Sequence, residues 1–224
     1  MYNLSYFKEK DKNALMEFIY ENPFAFLTGS TKEGKQVATQ IPLVAEERSG
    51  KLYLHGHIMR NTDHHKAFIE NPYALAVFTG PHTYVSASWY TNPQNGSTWN
   101  YMSVHVHGKV QFLPESHLIE LMKKLTLRFE NNNTSSPTIF DNLPENYTKK
   151  MLPAIVGFEI EAEDIQNVFK LSQNRDEKSY RNIIQKLEER TEKGNSQLIA
   201  DEMKKRMYDL FPAGVEWDAS RFIS

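Results

Sequence analysis

TWNYMSVHVHGKVQFL, residues 98 to 113, changes the chemistry of its side chains at every step. Successive side chains of an extended strand point to opposite faces, so Trp99, Tyr101, Ser103, His105 and His107 share one side and Asn100, Met102, Val104, Val106 and Gly108 the other. The second set reads as core. The first offers aromatic rings with hydrogen-bonding edges. This is the longest strand expected in the chain, and its neighbours keep the same period. KLYLHGHI, residues 51 to 58, places Leu52, Leu54, Gly56 and Ile58 on one side and Tyr53, His55 and His57 on the other. Two strands therefore each present a His-x-His pair.

FAFL, 24 to 27, is an apolar strand; TGSTKEGK, 28 to 35, has turn composition; and QVATQIPLVAEE, 36 to 47, reads as the hairpin partner. ALAVFTG and HTYVSASWY, 74 to 80 and 82 to 90, read as strands joined at Gly80-Pro81, and AIVGFEIEAED, 154 to 164, as another strand followed by NVFKLSQNR. Helical spacing marks Asp11 to Tyr20, with Leu15, Phe18 and Ile19 apolar and Asn22-Pro23 as the stop. NTDHHKAFIENP is a short helix closed by proline. ESHLIELMKKLTLRFE is an amphipathic helix with Leu118, Leu121, Met122, Leu125 and Phe129 as its buried stripe, and ENNNTSSPT, 130 to 138, is a polar loop. The tail from Asp176 to Leu210 reads as two polar helices broken at Gly194-Asn195. Six or more strands in hairpin order, with helices at the margins, indicate a mainly β, α+β fold built on an antiparallel sheet or barrel and exclude a doubly wound parallel one.

Composition narrows the function classes. The 224 residues carry 26 basic and 28 acidic side chains, too even a balance for the broad positive field of sequence-independent DNA binding. Cysteine is absent, which excludes disulfides, thiolate metal sites and thiol catalysis. No run approaches the roughly 20 apolar residues of a membrane span, and Lys8 to Lys12 are charged where a signal peptide needs an apolar block. A cytoplasmic protein is expected.

Paired histidines on two strands raise a metal site, but no Asp or Glu lies between residues 89 and 114 to complete a hydrolytic centre, and none is expected. Each ring taken alone is best read as a cross-strand aromatic pair or a satisfied interior histidine. Together, the Trp, Tyr, Asn and His side chains of residues 88 to 108 favour a pocket for a planar ligand with polar edges. HGHIMRNTDHHKAF then ends a strand at His57 and opens a helix after Arg60, Asn61 and Thr62. The free N–H groups of a helix start attract phosphate, and arginine adds a forked contact. The plain alternative is an ordinary cap beside a solvated Arg60. A ring-binding wall with an anion-binding helix start is what flavin mononucleotide (FMN) requires.

The chain resembles the FMN-binding negative transcriptional regulator family, the PaiB-like proteins. The resemblance rests on Asn22-Pro23-Phe24, Ile41-Pro42-Leu43, His55-Gly56-His57, Gly80-Pro81-His82, Tyr84-Val85-Ser86, Ser88-Trp89-Tyr90, Thr98-Trp99-Asn100-Tyr101, His105-Val106-His107-Gly108, Ile155 to Ile160 and Lys170 to Arg175, in family order. It implies an antiparallel split β-barrel of the FMN-binding type over residues 1–175, with peripheral helices, and a C-terminal helical extension over 176–224 packed on the barrel or on a partner subunit. It also implies a homodimer. Carried over residue by residue, it assigns His57, Arg60, Asn61 and Thr62 to the phosphate, Trp89, Trp99, Asn100 and Tyr101 to the ring system, His105 to the ring's polar edge, and Lys170, Ser172, Gln173 and Asn174 to completing the cleft. This chain departs from the family pattern with Gln40 before Ile-Pro-Leu, Gly96-Ser97 before Thr-Trp-Asn-Tyr, Ala87 within Ser86 to Tyr90, and Phe169 before Lys-Leu-Ser-Gln.

The function implied is negative regulation of transcription, of the protease synthesis and sporulation type, acting on DNA or indirectly. No helix-turn-helix pattern supports direct DNA binding, and the basic run Lys204-Lys205-Arg206 is offset by Asp201 and Glu202. Two other readings stay open: a flavin-dependent oxidoreductase acting on an unidentified small molecule, and a haem-binding split barrel using His55, His57, His105 or His107.

Overall fold

The computed structural model describes residues 1–191 and 194–222, without the side chain of Arg221. Seven strands form one sheet: β1 (Phe24–Ser30), β2 (Gln36–Pro42), β3 (Val44–Arg48), β4 (Lys51–Met59), β5 (Tyr73–Val85), β6 (Thr98–Phe112) and β7 (Ile155–Lys170), in the order β2-β1-β5-β6-β7-β4-β3. The ladders β1/β2, β1/β5, β3/β4 and β4/β7 are antiparallel. Among the described residues the α-helices are α1 (Lys12–Glu21), α2 (Asp63–Glu70), α3 (Glu115–Phe129), α4 (Glu145–Met151), α5 (Glu177–Glu188) and α6 (Gly194–Leu210). The expected mainly β, antiparallel architecture is the one found.

Cα packing divides the chain into two compact units. One comprises Met1–Leu15, Thr79–Val104 and Gln166–Ser224, and the other Met16–Phe78 and His105–Ile165. The strands β5, β6 and β7 each contribute a segment to both.

In the second unit, β1 and β2 pair from Phe24↔Pro42 to Ser30↔Gln36. The stretch 36 to 47 is not one strand, as the sequence suggests, but two, and they lie at opposite ends of the sheet order. Only Leu43 separates them. Two Cα steps span at most about 7 Å, whereas seven strands laid flat at roughly 4.8 Å spacing would hold their edges about 29 Å apart. The sheet must therefore curl until its edges meet at Leu43. That side chain is 1% exposed, and room for it is made by Gly56, where a Cβ would stand 2.7 Å from both Leu43 Cδ2 and Phe158 Cζ. The β3/β4 hairpin turns through Ser49 (φ 52°) and Gly50 (φ 78°), the paired left-handed residues that match strand twist in a two-residue loop.

Alternation holds as expected on β4, where Leu52, Leu54, Gly56 and Ile58 are buried, and on the β6 core side, where Asn100, Met102, Val104, Val106 and Gly108 are buried. On α3, Leu118, Leu121, Met122 and Leu125 are buried as expected, but Phe129, the helix's last residue, is 53% exposed, so the buried stripe ends at Leu125. Leu118, Met122, Phe140, Leu152 and Ile155 form a separate cluster beneath α3. The polar loop after α3 is pinned by Asn142, whose amide donates to the carbonyls of Thr134 and Ser136 at 2.9 and 2.8 Å.

Three further expectations change. Strand β5 runs unbroken through Gly80-Pro81: its ladder with β1 covers only Ala74–Val77, so the N–H that Pro81 lacks costs no bond there. The strand ends at Val85, not Tyr90, because the Ser86 hydroxyl caps a 3-10 turn over Ala87–Trp89. The break between the tail helices precedes Gly194, which begins α6.

In the first unit, α5 starts at an Asp176 cap whose carboxylate accepts from Ser179 N at 2.9 Å. Tyr180, Ile183, Ile184 and Leu187 of α5 and Ile199, Ala200 and Met203 of α6 are buried, so these charged helices have apolar seams. The N-terminal segment is held by Asn167, whose side chain accepts from Glu9 N and donates to Glu9 O at 2.8 and 3.0 Å.

In the second unit, the tightest glycine contact among the described residues is at Gly108. A Cβ there would lie 2.2 Å from the Glu161 carbonyl oxygen and 2.6 Å from Ile160 Cγ2. Backbone cannot yield as a side chain tip can. Gly108→Ala is expected to lower unfolding free energy by about 1–3 kcal/mol in urea titration, whereas Gly96→Ala, with nothing within 4 Å of the added carbon, stays within about 0.5 kcal/mol. Equal effects would refute the close-approach reading.

Candidate functional site

The residues singled out in the sequence fall in both units, and each unit has its own chemistry.

In the second unit, β4 carries His55 and His57 on the face opposite its core residues. Burial pushes both imidazoles below the usual histidine value; for His55 the carboxylates of Glu46 and Glu159 oppose that shift. His105 and His107 are half-buried on β6. After β4 the backbone turns through Asn61 (φ 63°), a left-handed conformation that asparagine tolerates. The Asn61 N–H donates to His65 Nδ1 at 3.1 Å, and the Thr62 hydroxyl donates to the Met59 carbonyl at 2.8 Å instead of capping α2. Asp63 supplies the first turn of α2 with a carboxylate, which accepts from His64 N at 2.7 Å. Asn61 and Thr62 are thus engaged with their own chain, while the Arg60 side chain is exposed.

In the first unit, alternation along β5 and β6 brings rings together. The Trp99 ring, 54% exposed, lies 6.1 Å from Tyr84 in an edge-to-face arrangement and 6.1 Å from His82. These three side chains line a cleft of ≈ 390 Å³ with Thr83, Arg190 and the start of α6. Arg190 donates to the Thr83 and Ser196 hydroxyls at 2.6 and 3.1 Å and to the Tyr84 carbonyl at 2.7 Å. All three acceptors are neutral, so these contacts leave its charge uncancelled. His82, Tyr84 and Arg190 were not among the expected site residues. The exposed His82 and Tyr84 alternate with buried Thr83 and Val85, a pattern visible in the sequence, but Arg190 arrives from a distant helix end with no local signal. Trp89 sits apart from the strand, half-buried under Arg190 at 5.1 Å, with its carbonyl accepting from Asn182.

Asn100 and Tyr101 part company. Tyr101 is half-buried on the Trp99 side, and burial raises its phenol above the usual value. Asn100 is fully buried: its Oδ1 accepts from the Ser172 hydroxyl at 2.9 Å and its amide faces Met203 Sδ at 3.5 Å. Ser172 (φ 62°) and Gln173 build the turn after β7. The Gln173 Oε1 accepts from Leu171 N at 2.7 Å and its amide donates to the Phe169 carbonyl at 2.5 Å. Asn174 is half-buried beside them. Lys170 differs from these. Its ammonium donates to Thr98 Oγ1 at 2.5 Å and lies 5.4 and 5.9 Å from the rings of Tyr2 and Phe7, and burial, reinforced by Arg175, lowers its pKa.

Among the described residues no group of three or more His, Asp or Glu side chains converges as a metal site, and no helix is long and apolar enough to cross a membrane.

The family described as "Putative FMN-binding domain" matches residues 1–164. The chain is 35% identical over 210 residues to the protease synthase and sporulation protein PAI 2 of Bacillus subtilis, covering 92% of this chain and 100% of that protein. It is 28% identical over 212 residues to an uncharacterized protein of Emericella nidulans, covering 77% of this chain and 84% of that one. Among solved structures, the FAD and heme binding protein from Mycobacterium smegmatis aligns with a TM-score of 0.54 at 19% identity, over 72% of each chain. The flavocytochrome Anf3 from Azotobacter vinelandii aligns at 0.50 and 15% identity, over 72% of this chain and 68% of that one. At such identities the structural likeness speaks for the fold, an antiparallel split barrel. The family match extends over more than two thirds of the chain, and the Bacillus subtilis relative is matched along its whole length. The chain therefore belongs to the FMN-binding, PaiB-like family, and FMN is its cofactor.

Proposed function

We propose that this protein is a homodimeric flavoprotein regulator of the kind for which its Bacillus subtilis relative is named, acting through its flavin and not through a DNA-reading helix. The observation that carries the reading is the ring cluster of Trp99, Tyr84 and His82 beside Arg190. FMN combines a planar ring system with a dianion, so it calls for flat side chains and for cations whose charge is not already spent on carboxylates. That donor set fits: Arg190 bonds neutral oxygens, and the charge acting on Lys170 is another cation, Arg175. When bound, FMN supplies the redox chemistry, while the protein sets position and electrostatics. Within the first unit, Trp99 and Tyr101 are proposed for the ring, Lys170 for its electron-rich edge, and Arg190 for the phosphate. Asn100, Ser172 and Gln173 act as supports.

The basic run of the tail gives no reason to invoke DNA. Lys204 pairs with Glu188, Lys205 with Glu202, and Arg206 with both Glu202 and Glu9. A phosphate backbone would have to compete with each carboxylate. For the homodimer, support comes from the outer side of β1 and β5. Phe24, Phe26 and Tyr73 are 58%, 44% and 57% exposed, and the Phe26↔Val77 register puts them on one face.

Titration with FMN, followed by flavin absorbance, tests the cofactor contacts. Lys170→Met is expected to weaken binding about tenfold or more, the scale of a lost charged hydrogen bond. Lys170→Met should not lower stability, because a buried ammonium is removed with its desolvation cost. Ser172→Ala should instead lower stability by about 1–3 kcal/mol, since Asn100 Oδ1 loses its partner in the interior. Wild-type affinity in Lys170→Met would remove that residue from the site, and a Soret band on adding haemin, without flavin uptake, would reverse the cofactor reading.

Phe26→Asp is expected to shift light-scattering mass from dimer to monomer. Gel shifts at stated salt should show no sequence-specific DNA complex. A discrete complex would favour direct repression. Bleaching of the flavin by reduced nicotinamide, with reoxidation by a small molecule, would favour the oxidoreductase.

A further inference from the structure

A second cleft, ≈ 290 Å³ in volume, lies in the second unit where α3 covers the outer side of β3, β4 and β7. None of its residues is used in the FMN reading. Val44, Leu113 and Leu121 give it apolar walls. Its ionisable groups sort by what they already bind. Arg48 is committed: its guanidinium contacts Glu159 Oε2 at 2.6 Å and stacks on the Tyr53 ring at 3.7 Å. That pair cancels itself. Glu46 stands 3.9 Å from both Arg48 and Lys124, and Glu120 3.7 Å from Lys123, which Asp141 holds at 3.2 Å; three carboxylates, Glu46, Glu120 and Glu159, thus line the cleft against two cations, Arg48 and Lys124, with His117 beside them.

His55 sits among these groups with a buried Nε2 that has no hydrogen-bond partner among the described residues. The nearest acid is Glu46 Oε2 at 3.4 Å, and Glu159 Oε2 is 4.0 Å from Nδ1. An unsatisfied buried nitrogen beside an acidic excess calls for a donor that carries positive charge. A metal ion does not answer, because no three ligands converge. An anion would meet the carboxylates. An alkylammonium head has three N–H donors, enough for His55 Nε2 and Glu46 together once the Glu46 side chain, 40% exposed, swings aside, and its alkyl body suits the apolar walls.

We propose that this cleft is a binding site for a small primary alkylammonium compound. Isothermal titration of the FMN-loaded protein with n-butylammonium chloride, against sodium butyrate and 1-butanol at equal ionic strength, tests it. Saturable binding in about the millimolar range is expected for the amine alone, as for other fragment-sized ligands. Glu46→Gln and, on the exposed rim, Glu120→Gln should each weaken it, Glu46→Gln about tenfold or more, with FMN affinity unchanged. Lowering the pH should weaken it further as His55 protonates and loses its acceptor; Glu46, Glu120, Glu159, Arg48, Lys124 and His117 are the other ionisable groups lining the cleft. Equal binding of butyrate, unchanged affinity in both variants, or no saturable binding would overturn the proposal; so would an Nε2–H signal showing only an internal His55–Glu46 bond that butylammonium leaves in place. Loss of FMN binding without loss of amine binding would count against the flavin reading alone.

Discussion

Everything in the second unit follows from one residue having to bridge the two ends of a seven-stranded order. Because Leu43 leads from β2 directly into β3, its side chain is driven inward, and Gly56 and Phe158 are shaped around it. Alternation then sends Val44 and Glu46 outward, onto the side where β4 turns out His55 and β7 turns out Glu159. The cleft beneath α3 is thus a geometric consequence of closing the sheet. A bulkier residue at Gly56 would oppose the closure, and a longer link at Leu43 would remove the need for it.

The two units hold charge in opposite ways. In the first, Lys170 and Arg190 bond hydroxyls and a carbonyl, and the aromatic side chains nearby carry no formal charge. Burial disfavours the Lys170 ammonium, and an arriving anion would relieve that cost. In the second unit, the carboxylates around His55 exceed the cations left free to meet them. The first arrangement suits the negative charge of the proposed FMN contacts, and the second the positive charge of the proposed amine. This contrast is why a single ligand chemistry cannot account for both clefts.

Much of this was legible in the sequence, and the parts that were not have physical causes. The faces of β4 and β6 followed from alternation alone, because a strand's period is fixed by its backbone. The Asp176 cap and the buried stripe of α3 obeyed local rules as well. The failures arose where tertiary context decides. Gly80-Pro81 looks like a turn, yet the strand continues, and its ladder with β1 ends at Val77, short of the proline. Residues 36 to 47 look like one strand because Leu43 keeps the apolar run going; only the sheet order shows that it divides. Arg190, two residues beyond the end of α5, could not be assigned to the ring cluster by any spacing.

The polar motif residues carry the last distinction. A run such as Lys170-Leu171-Ser172-Gln173 invites the idea that every polar member touches a ligand. The structure divides it instead. Ser172 adopts φ 62°, which costs a non-glycine residue about 1 kcal/mol or more. The turn is held by the Ser172 hydroxyl on Asn100 and by both ends of the Gln173 amide. With two buried polar side chains spent on fixing the backbone, the strand end that bears Lys170 is held rigidly, and its ammonium is presented between Thr98 and the rings of Tyr2 and Phe7. A flexible lysine would follow any anion; one held in this way discriminates by position. The motif's spacing is therefore explained by a division of labour, in which Ser172 and Gln173 determine where the charge of Lys170 can be.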